Sequence, residues 1–281
     1  MYSTVGLLKN SKHSGKLIGT HQRLDRVSRA FLMKLAPKNT YFPTYKEIIY
    51  FEGNRGPDGL KRKSPGVDEP LHFILPDNDD GKLIEIIKNH QYNLKKALKK
   101  QDSVRAAFEA AWLAHAITDG LTPAHHFPYQ EAVSELMSDK EYISIFGQPV
   151  KGIMRGDNIA EAARNNWLYW GAEGLMTKHI AFEYGVALVA AAKTGKSLTP
   201  KLPKTELKRL KNYQNLDLAA EFYASLRRIS DLKMYDRFRK GGWTAELALE
   251  SAEILLPEIV RVITIAWLSC LPQEETDEQN A

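Results

Sequence analysis

Apolar residues recur at helical spacing along most of the chain. Val104, Phe108, Ala111, His115 and Asp119 follow one another at steps of three and four, so they share one helix face. Alternation typical of strands is scarce. The pattern predicts helices at about 20–35, 82–99, 103–119, 157–193, 214–234 and 243–270, with shorter turns around 44–50, 130–139 and 204–212. We therefore expect an all-α fold, with residues 1–281 forming one multi-helix domain.

Composition limits the class of protein. The 281 residues are 43% hydrophobic and 26% charged, as in ordinary soluble globular proteins. The apolar stretches are too short or too interrupted to cross a bilayer, and the N-terminal segment lacks the hydrophobic region of a secretory signal. We therefore expect a cytoplasmic protein with no transmembrane segment. Its only cysteine, Cys270, excludes an internal disulfide and a thiolate metal cluster, and its apolar helix favours an inert core role.

Polar side chains interrupt two of the predicted apolar faces at the same spacing. His115 and Asp119 lie one helical turn apart, and so do His179 and Glu183. Burying a charged group without compensation costs several kcal/mol, so each pair needs a partner that offsets its desolvation. Imidazole and carboxylate are both zinc ligands, so a divalent cation is a candidate partner. A single pair of this kind is more often solvated or structural; the repetition favours a metal.

Further histidines fit the same pattern. His21 interrupts an apolar face that continues through Leu24, and His72 lies in a hydrophobic run of irregular structure. Pro123 is expected to end the helix that carries Asp119, so that His125 or His126 can return toward the same point. Because the two histidines are adjacent, rotation of the backbone could offer either of them.

The ordered set of these residues resembles the zinc-dependent phospholipase C superfamily, whose fold is shared with fungal single-strand nucleases. The resemblance covers about residues 17–190. Asp58 precedes His72 by fourteen residues, and Gly56-Pro57-Asp58 resembles a turn common in bacterial members. The remaining matching positions are His21, His115-x3-Asp119-x5-His125 and His179-x3-Glu183.

The resemblance implies a site of two or three zinc ions between helices. The first ion would be bound by Asp58, His72, His115 and Asp119. The second would be bound by His125, His179 and Glu183, and the third by His21 with Asp119 as a bridge. The expected reaction is hydrolysis of a phosphoric ester by a metal-bound hydroxide, with Asp58 as a proton acceptor.

The sequence departs from the family pattern in two places. Family members complete the third site with a mature N-terminal tryptophan, whereas twenty residues precede His21 here. His13 could replace that ligand or be an exposed loop residue. The interval between His125 and His179 is also longer than in the family, which makes residues 129–158 either a lid over the site or an inert surface insertion. We expect residues 272–281 to form a flexible acidic tail.

The formal net charge of +5 favours an anionic phosphoester substrate. The resemblance favours a phospholipid headgroup, cleaved as by a phospholipase C. A nuclease or nucleotidase, for which nucleic acid is the substrate, is the alternative on the same fold. Two further alternatives are a catalytically inactive zinc-binding protein and a helical protein with purely structural histidines. Trp167, Tyr169 and Trp170 could line a headgroup or base pocket, but core packing is the more frequent role of such residues.

Overall fold

The computed structural model describes residues 19–52, 56–58, 72–136, 154 and 156–272. Within these ranges all regular secondary structure is helical, which confirms the all-α fold class. No helix in the described part of the chain combines the length and hydropathy needed to span a membrane.

Thirteen α-helical segments are defined in the described ranges. In chain order they are α1 (Thr20–Leu35), α2 (Tyr45–Tyr50), α3 (Lys82–Lys99), α4 (Ser103–Leu121), α5 (Tyr129–Leu136), α6 (Ile159–Trp170), α7 (Leu175–Ala192), α8 (Gly195–Leu198), α9 (Lys204–Lys211), α10 (Leu218–Asp231), α11 (Met234–Gly241), α12 (Ala245–Glu250) and α13 (Leu256–Leu268). A 3₁₀ turn, Pro123–His126, follows α4.

Helix α4 lies at the centre of the fold and carries two of the predicted ligands. It packs against α1, α2, α3, α10 and α13. From Ala106 onward nearly every residue is buried, and frequent alanines allow the neighbouring helices to approach closely. At Gly120 the approach is close, because a Cβ there would lie 2.5 Å from Leu83 and 2.9 Å from Phe222. Val104, at the start of the helix, is 67% exposed, so burial of this face begins further along the helix.

The apolar faces of these helices meet in one large cluster of buried residues that extends from α1 to the end of the described chain. Cys270 is buried in this cluster, and burial raises the pKa of its thiol to about 12, in agreement with the expected inert role. A smaller cluster contains Tyr129, Val133, Met154 and Tyr169, and it packs beside the predicted metal ligands of α7.

The last long helix contains one wide turn. Residues Ser251–Leu255 form a π turn between α12 and α13, in which the Leu256 N–H bonds to the Ser251 carbonyl five residues earlier. Pro257 follows at once; it has no N–H, and its ring would crowd the carbonyl four residues before it in a regular α-helix. The wide turn accommodates the proline without ending the helix.

Two predicted helices differ from the structure. The predicted helix at 157–193 is divided into α6 and α7 by a tight loop that begins at Gly171. The Gly171 N–H bonds to the Trp167 carbonyl, and a Cβ on Gly171 would lie 2.4 Å from that oxygen. The predicted helix at 214–234 is shorter than expected: α10 ends at Asp231, and Lys233 has a positive φ of 50° before α11 begins.

Some expectations fall outside the described residues. They concern the N-terminal segment with His13, the greater part of the 129–158 insertion, and the acidic tail beyond Pro272. Of the insertion, the structure describes α5, Met154 and the start of the segment that leads into α6.

Candidate metal centre

The structure brings the eight predicted ligands together from distant parts of the chain. Helix α1 supplies His21, α4 supplies His115 and Asp119, and α7 supplies His179 and Glu183. Asp58 and His72 lie before α3 in the chain, and His125 lies in the 3₁₀ turn after α4. Three groups of potential ligand atoms each lie within 4.8 Å of one another: His21, Asp58 and His115; His72, His115 and Asp119; and His125, His179 and Glu183. These groups could hold metal ions.

Asp119 lies between the groups. Its Oδ2 is 3.2 Å from both His72 Nδ1 and His115 Nε2. Its Oδ1 is 3.3 Å from His21 Nε2 and 3.9 Å from His125 Nε2. One carboxylate therefore faces four imidazoles, and it can connect two ligand groups in the manner of a bridging ligand.

The third group is built on α7 and the 3₁₀ turn. Glu183 Oε1 lies 3.0 Å from His125 Nε2 and 3.3 Å from His179 Nε2. The Nδ1 of His125 is 3.0 Å from the backbone carbonyl of His72. A carbonyl oxygen can only accept, so Nδ1 carries the proton and the Nε2 lone pair is left to face the cluster.

The geometry also separates His125 from its neighbour. His126 Nε2 lies 2.9 Å from the Gly120 carbonyl, to which it donates, and its ring is outside all three ligand groups. Burial lowers the pKa of His126 to about 4, so the ring is neutral near pH 7. Adjacent residues in the 3₁₀ turn thus point in different directions: one ring toward the cluster and one toward the end of α4.

These two histidines form a matched pair for a substitution test. We expect His125→Ala to lower the number of zinc ions that copurify with the protein, because Glu183 and His179 then lose their third partner. His126→Ala removes an equal volume one residue away and should leave the zinc content unchanged. Elemental analysis of both variants measures this difference. Equal zinc content in the two variants would contradict the assignment of His125.

The spacing of the donor atoms suits zinc. Bonds of about 2.0–2.1 Å in a tetrahedral site place two ligand atoms roughly 3.3 Å apart. The pairs His115–Asp119 and His179–Glu183, at 3.2 Å and 3.3 Å, have this spacing. His115 Nε2 is buried beside the carboxylates of Asp119 and Asp58. Burial opposes a charge on this ring, but Asp119, Glu52 and Asp58 raise the pKa of His115 well above its ordinary value. A cation would take the place of a proton at Nε2, and the residues present fit the metal.

The electrostatics of the cluster fit a cation as well. Burial alone would raise the pKa of Asp119, yet this pKa lies well below its ordinary value, and the imidazoles of His115 and His125 are among the groups that lower it. The pKa of Glu183 also lies well below its ordinary value despite burial, and His179 and His125 contribute to this. Both carboxylates are thus ionised although they are buried, and a bound cation would stabilise them in place of protons on the imidazoles.

Asp58 is the most exposed ligand candidate in the cluster. Its side chain is 31% exposed, and its Oδ1 lies 3.7 Å from His115 Nε2. Burial alone would raise the pKa of Asp58, but His115 and His21 lower it below its ordinary value. An ionised carboxylate that solvent can reach has the position and the protonation state of a proton acceptor.

Two buried carboxyl groups near the cluster were missed in the sequence. Glu52 follows α2 and lies 3.2 Å from His115 Nδ1, and Asp25 is buried on α1. Burial and the nearby Glu52 raise the pKa of Asp25 well above its ordinary value. For Asp25 a signal was present, because it follows His21 by four residues, the spacing of the other two pairs. Glu52 has no such signal.

Aromatic rings form one wall of the centre. The Phe73 ring stacks on His125 at 4.8 Å between centroids and on Tyr129 at 5.1 Å. The Tyr129 hydroxyl is hydrogen-bonded to the hydroxyl of Tyr169, which is buried on α6. This stack connects the third ligand group to α6.

The expectation of core packing for the aromatic residues of α6 is right for Tyr169 and wrong for its neighbours. Trp167 is 70% exposed and Trp170 is 42% exposed, and Leu168 between them is 41% exposed. The helix therefore turns one aromatic residue toward the wall of the centre and presents an apolar surface to solvent.

Comparison of the chain with known protein families, curated proteins and solved structures finds no match.

Proposed function

We propose that the protein is a zinc-dependent phosphoric ester hydrolase that cleaves phospholipids as a phospholipase C does. The observation that carries this proposal is the convergence of eight imidazole and carboxylate side chains, separated by up to 162 residues between His21 and Glu183, into three adjoining ligand groups. Three groups of ligands of which two share His115 leave room for two or three zinc ions.

Bound zinc would supply positive charge to polarise a phosphoryl oxygen and would lower the pKa of a coordinated water to about 7. The protein's own residues provide the rest. Asp119 holds the ligand groups next to each other, so that charge on both sides of a phosphoryl group can be stabilised. Asp58, at the exposed side of the cluster, accepts a proton.

The surface beside the centre supports a lipid in preference to a nucleic acid. A lipid substrate needs an apolar rim near the surface, whereas a base needs an aromatic sandwich with hydrogen-bond donors. Trp167, Leu168 and Trp170 form such a rim on α6. The helix that carries it is connected to the site, because Tyr169 of the same helix contacts Tyr129 in the aromatic wall.

The test begins with elemental analysis of protein purified without added metal. The same preparation is then assayed on phosphatidylcholine vesicles, single-stranded DNA and bis(p-nitrophenyl) phosphate. A chelator-treated sample and the same sample with zinc restored are the controls. We expect two or three zinc ions per chain, release of diacylglycerol from phosphatidylcholine, and loss of turnover in chelator that zinc reverses.

Each other outcome identifies one of the alternatives. Faster hydrolysis of DNA than of phosphatidylcholine would replace the lipid assignment with a nuclease. Bound zinc without turnover of any of the three substrates would indicate a catalytically inactive zinc-binding protein. Absence of zinc, with the same melting temperature in zinc and in chelator, would leave the histidines a structural role and overturn the proposal.

A further inference from the structure

Glu52 lies directly behind one of the candidate ligands. It follows α2, its N–H bonds to the Ile49 carbonyl, and only 3% of the residue is exposed. Its Oε2 lies 3.2 Å from His115 Nδ1. This carboxylate belongs to none of the three ligand groups, and its second oxygen, Oε1, has no hydrogen-bond partner among the described residues. Its described contact with the metal centre is thus made through the His115 ring.

The His115 ring has a different partner on each nitrogen. Nδ1 faces Glu52, and Nε2 faces Asp119 and Asp58 at 3.2 Å and 3.7 Å. Carboxylate oxygens that can accept a hydrogen bond thus lie beside both nitrogens. With a cation bound beside Nε2, the proton of the neutral ring belongs on Nδ1, where Glu52 accepts it. The tautomer that satisfies Glu52 is the one that leaves the Nε2 lone pair for a metal ion.

The orientation of this ring matters for two ligand groups at once. His115 is common to the group with His21 and Asp58 and the group with His72 and Asp119. The rings of His21 and His115 are also stacked, with centroids 4.0 Å apart and planes inclined by 7°. A rotation of His115 would therefore disturb both groups. The third group contains no atom of His115.

We propose that Glu52 is a positioning residue of the metal centre, which accepts the Nδ1–H of His115 and so fixes the tautomer and ring plane that present Nε2 to zinc. The inference rests on the proposed zinc function. A matching role is filled at His125 by the backbone carbonyl of His72, which no substitution can remove. At His115 the hydrogen-bond acceptor is the side chain of Glu52, so a substitution can remove it and test its role.

The test compares Glu52→Ala and Glu52→Gln with a control, Glu109→Gln. Glu109 is also a fully buried carboxylate, and it lies 2.6 Å from Nδ1 of a histidine, His90, but neither residue belongs to a ligand group. Zinc affinity is measured by competition with a chromophoric chelator, and the ligand field is read from the visible spectrum of the Co²⁺-substituted protein. Melting in excess chelator reports folding separately from metal binding.

We expect Glu52→Ala to lower the affinity for the zinc ions that His115 would bind by about 10- to 100-fold, as removal of such hydrogen-bond partners does in other metal sites. The Co²⁺ spectrum should change, and one ion, bound by the His125 group, should keep its affinity. The amide oxygen of Glu52→Gln can still accept from Nδ1, so this variant should recover part of the affinity. It also serves as the test variant if Glu52→Ala does not fold.

Three results would overturn the proposal. Wild-type affinity and spectrum in both Glu52 variants would show that the contact does not orient His115. An equal loss of affinity in Glu109→Gln would show a general effect of removing a buried carboxylate. Absence of zinc binding in the wild-type protein would overturn this inference together with the proposed function. The first two results leave that function intact, so the failures are distinguishable.

Discussion

Asp119→Asn is expected to remove at least one zinc ion per chain and to lower phosphoester hydrolysis by at least about 10- to 100-fold. The carboxylate faces four imidazoles, and the substitution replaces one of its two anionic oxygens by an NH₂ group that cannot bind a cation. Loss of a hydrogen-bond partner behind a ligand costs 10- to 100-fold, so loss of a ligand shared between groups should cost no less. Elemental analysis and the phosphatidylcholine assay measure the two effects.

Asp231→Asn is the matched control for this prediction, because Asp231 is exposed at the end of α10. It makes the same chemical change far from the ligand groups in sequence and should retain zinc and activity. Unchanged zinc content in Asp119→Asn would contradict the central position that we assign to this carboxylate.

Arg261→Met is expected to lower the free energy of unfolding by about 3 kcal/mol, the lower end of what breaking a buried ion pair costs. Arg261 lies on α13 and is 6% exposed. Its guanidinium contacts Glu221 of α10 at 2.8 Å and Glu258 at 3.0 Å. Methionine keeps much of the volume but leaves these carboxylates without their shared cation. Denaturant unfolding of the zinc-loaded protein measures the loss.

The exposed Arg227 on α10 provides the control, since Arg227→Met removes the same charge from a solvated position. Surface substitutions of this kind change stability by less than about 0.5 kcal/mol. Equal midpoints for the two variants would show that the carboxylates around Arg261 do not depend on it. We expect zinc content to remain at the wild-type level in both variants.

Most of the fold was predictable because apolar periodicity and helix caps are local. Asp102, for example, accepts a hydrogen bond from the Arg105 N–H at the start of α4, as its position before the apolar run suggests. The division of the 157–193 helix was missed although its signal was visible, since Gly171 and Gly174 lie only three residues apart. Glycine is required at both positions because the backbone of the loop passes close to the end of α6. A Cβ on Gly171 or Gly174 would lie 2.4 Å or 2.6 Å, respectively, from a carbonyl oxygen of that helix.

The candidate site was predictable to the extent that it follows chain spacing. His115 with Asp119, and His179 with Glu183, are neighbours because a helix places residues four apart on one face. The family spacing selects His125, but the sequence left His126 open, because the direction of each ring depends on backbone carbonyls that the fold supplies. Glu52 could not be found, since it meets His115 across 63 residues and follows a helix of only six.

The π turn at Ser251–Leu255 gives the C-terminal helices a tolerance to shortening that the centre of the molecule lacks. Successive residues of an α-helix are rotated by about 100°, so a deletion normally turns every later side chain away from its neighbours. Here the loss of one residue, together with Pro257→Ala, would convert the wide turn into a regular one that no longer has to accommodate a proline ring, and it would leave Leu247 and Ile259 on the sides they now bury. The helix between His115 and Asp119 contains no wide turn that could absorb a deletion. A deletion there would separate the carboxylate from the imidazoles that face it.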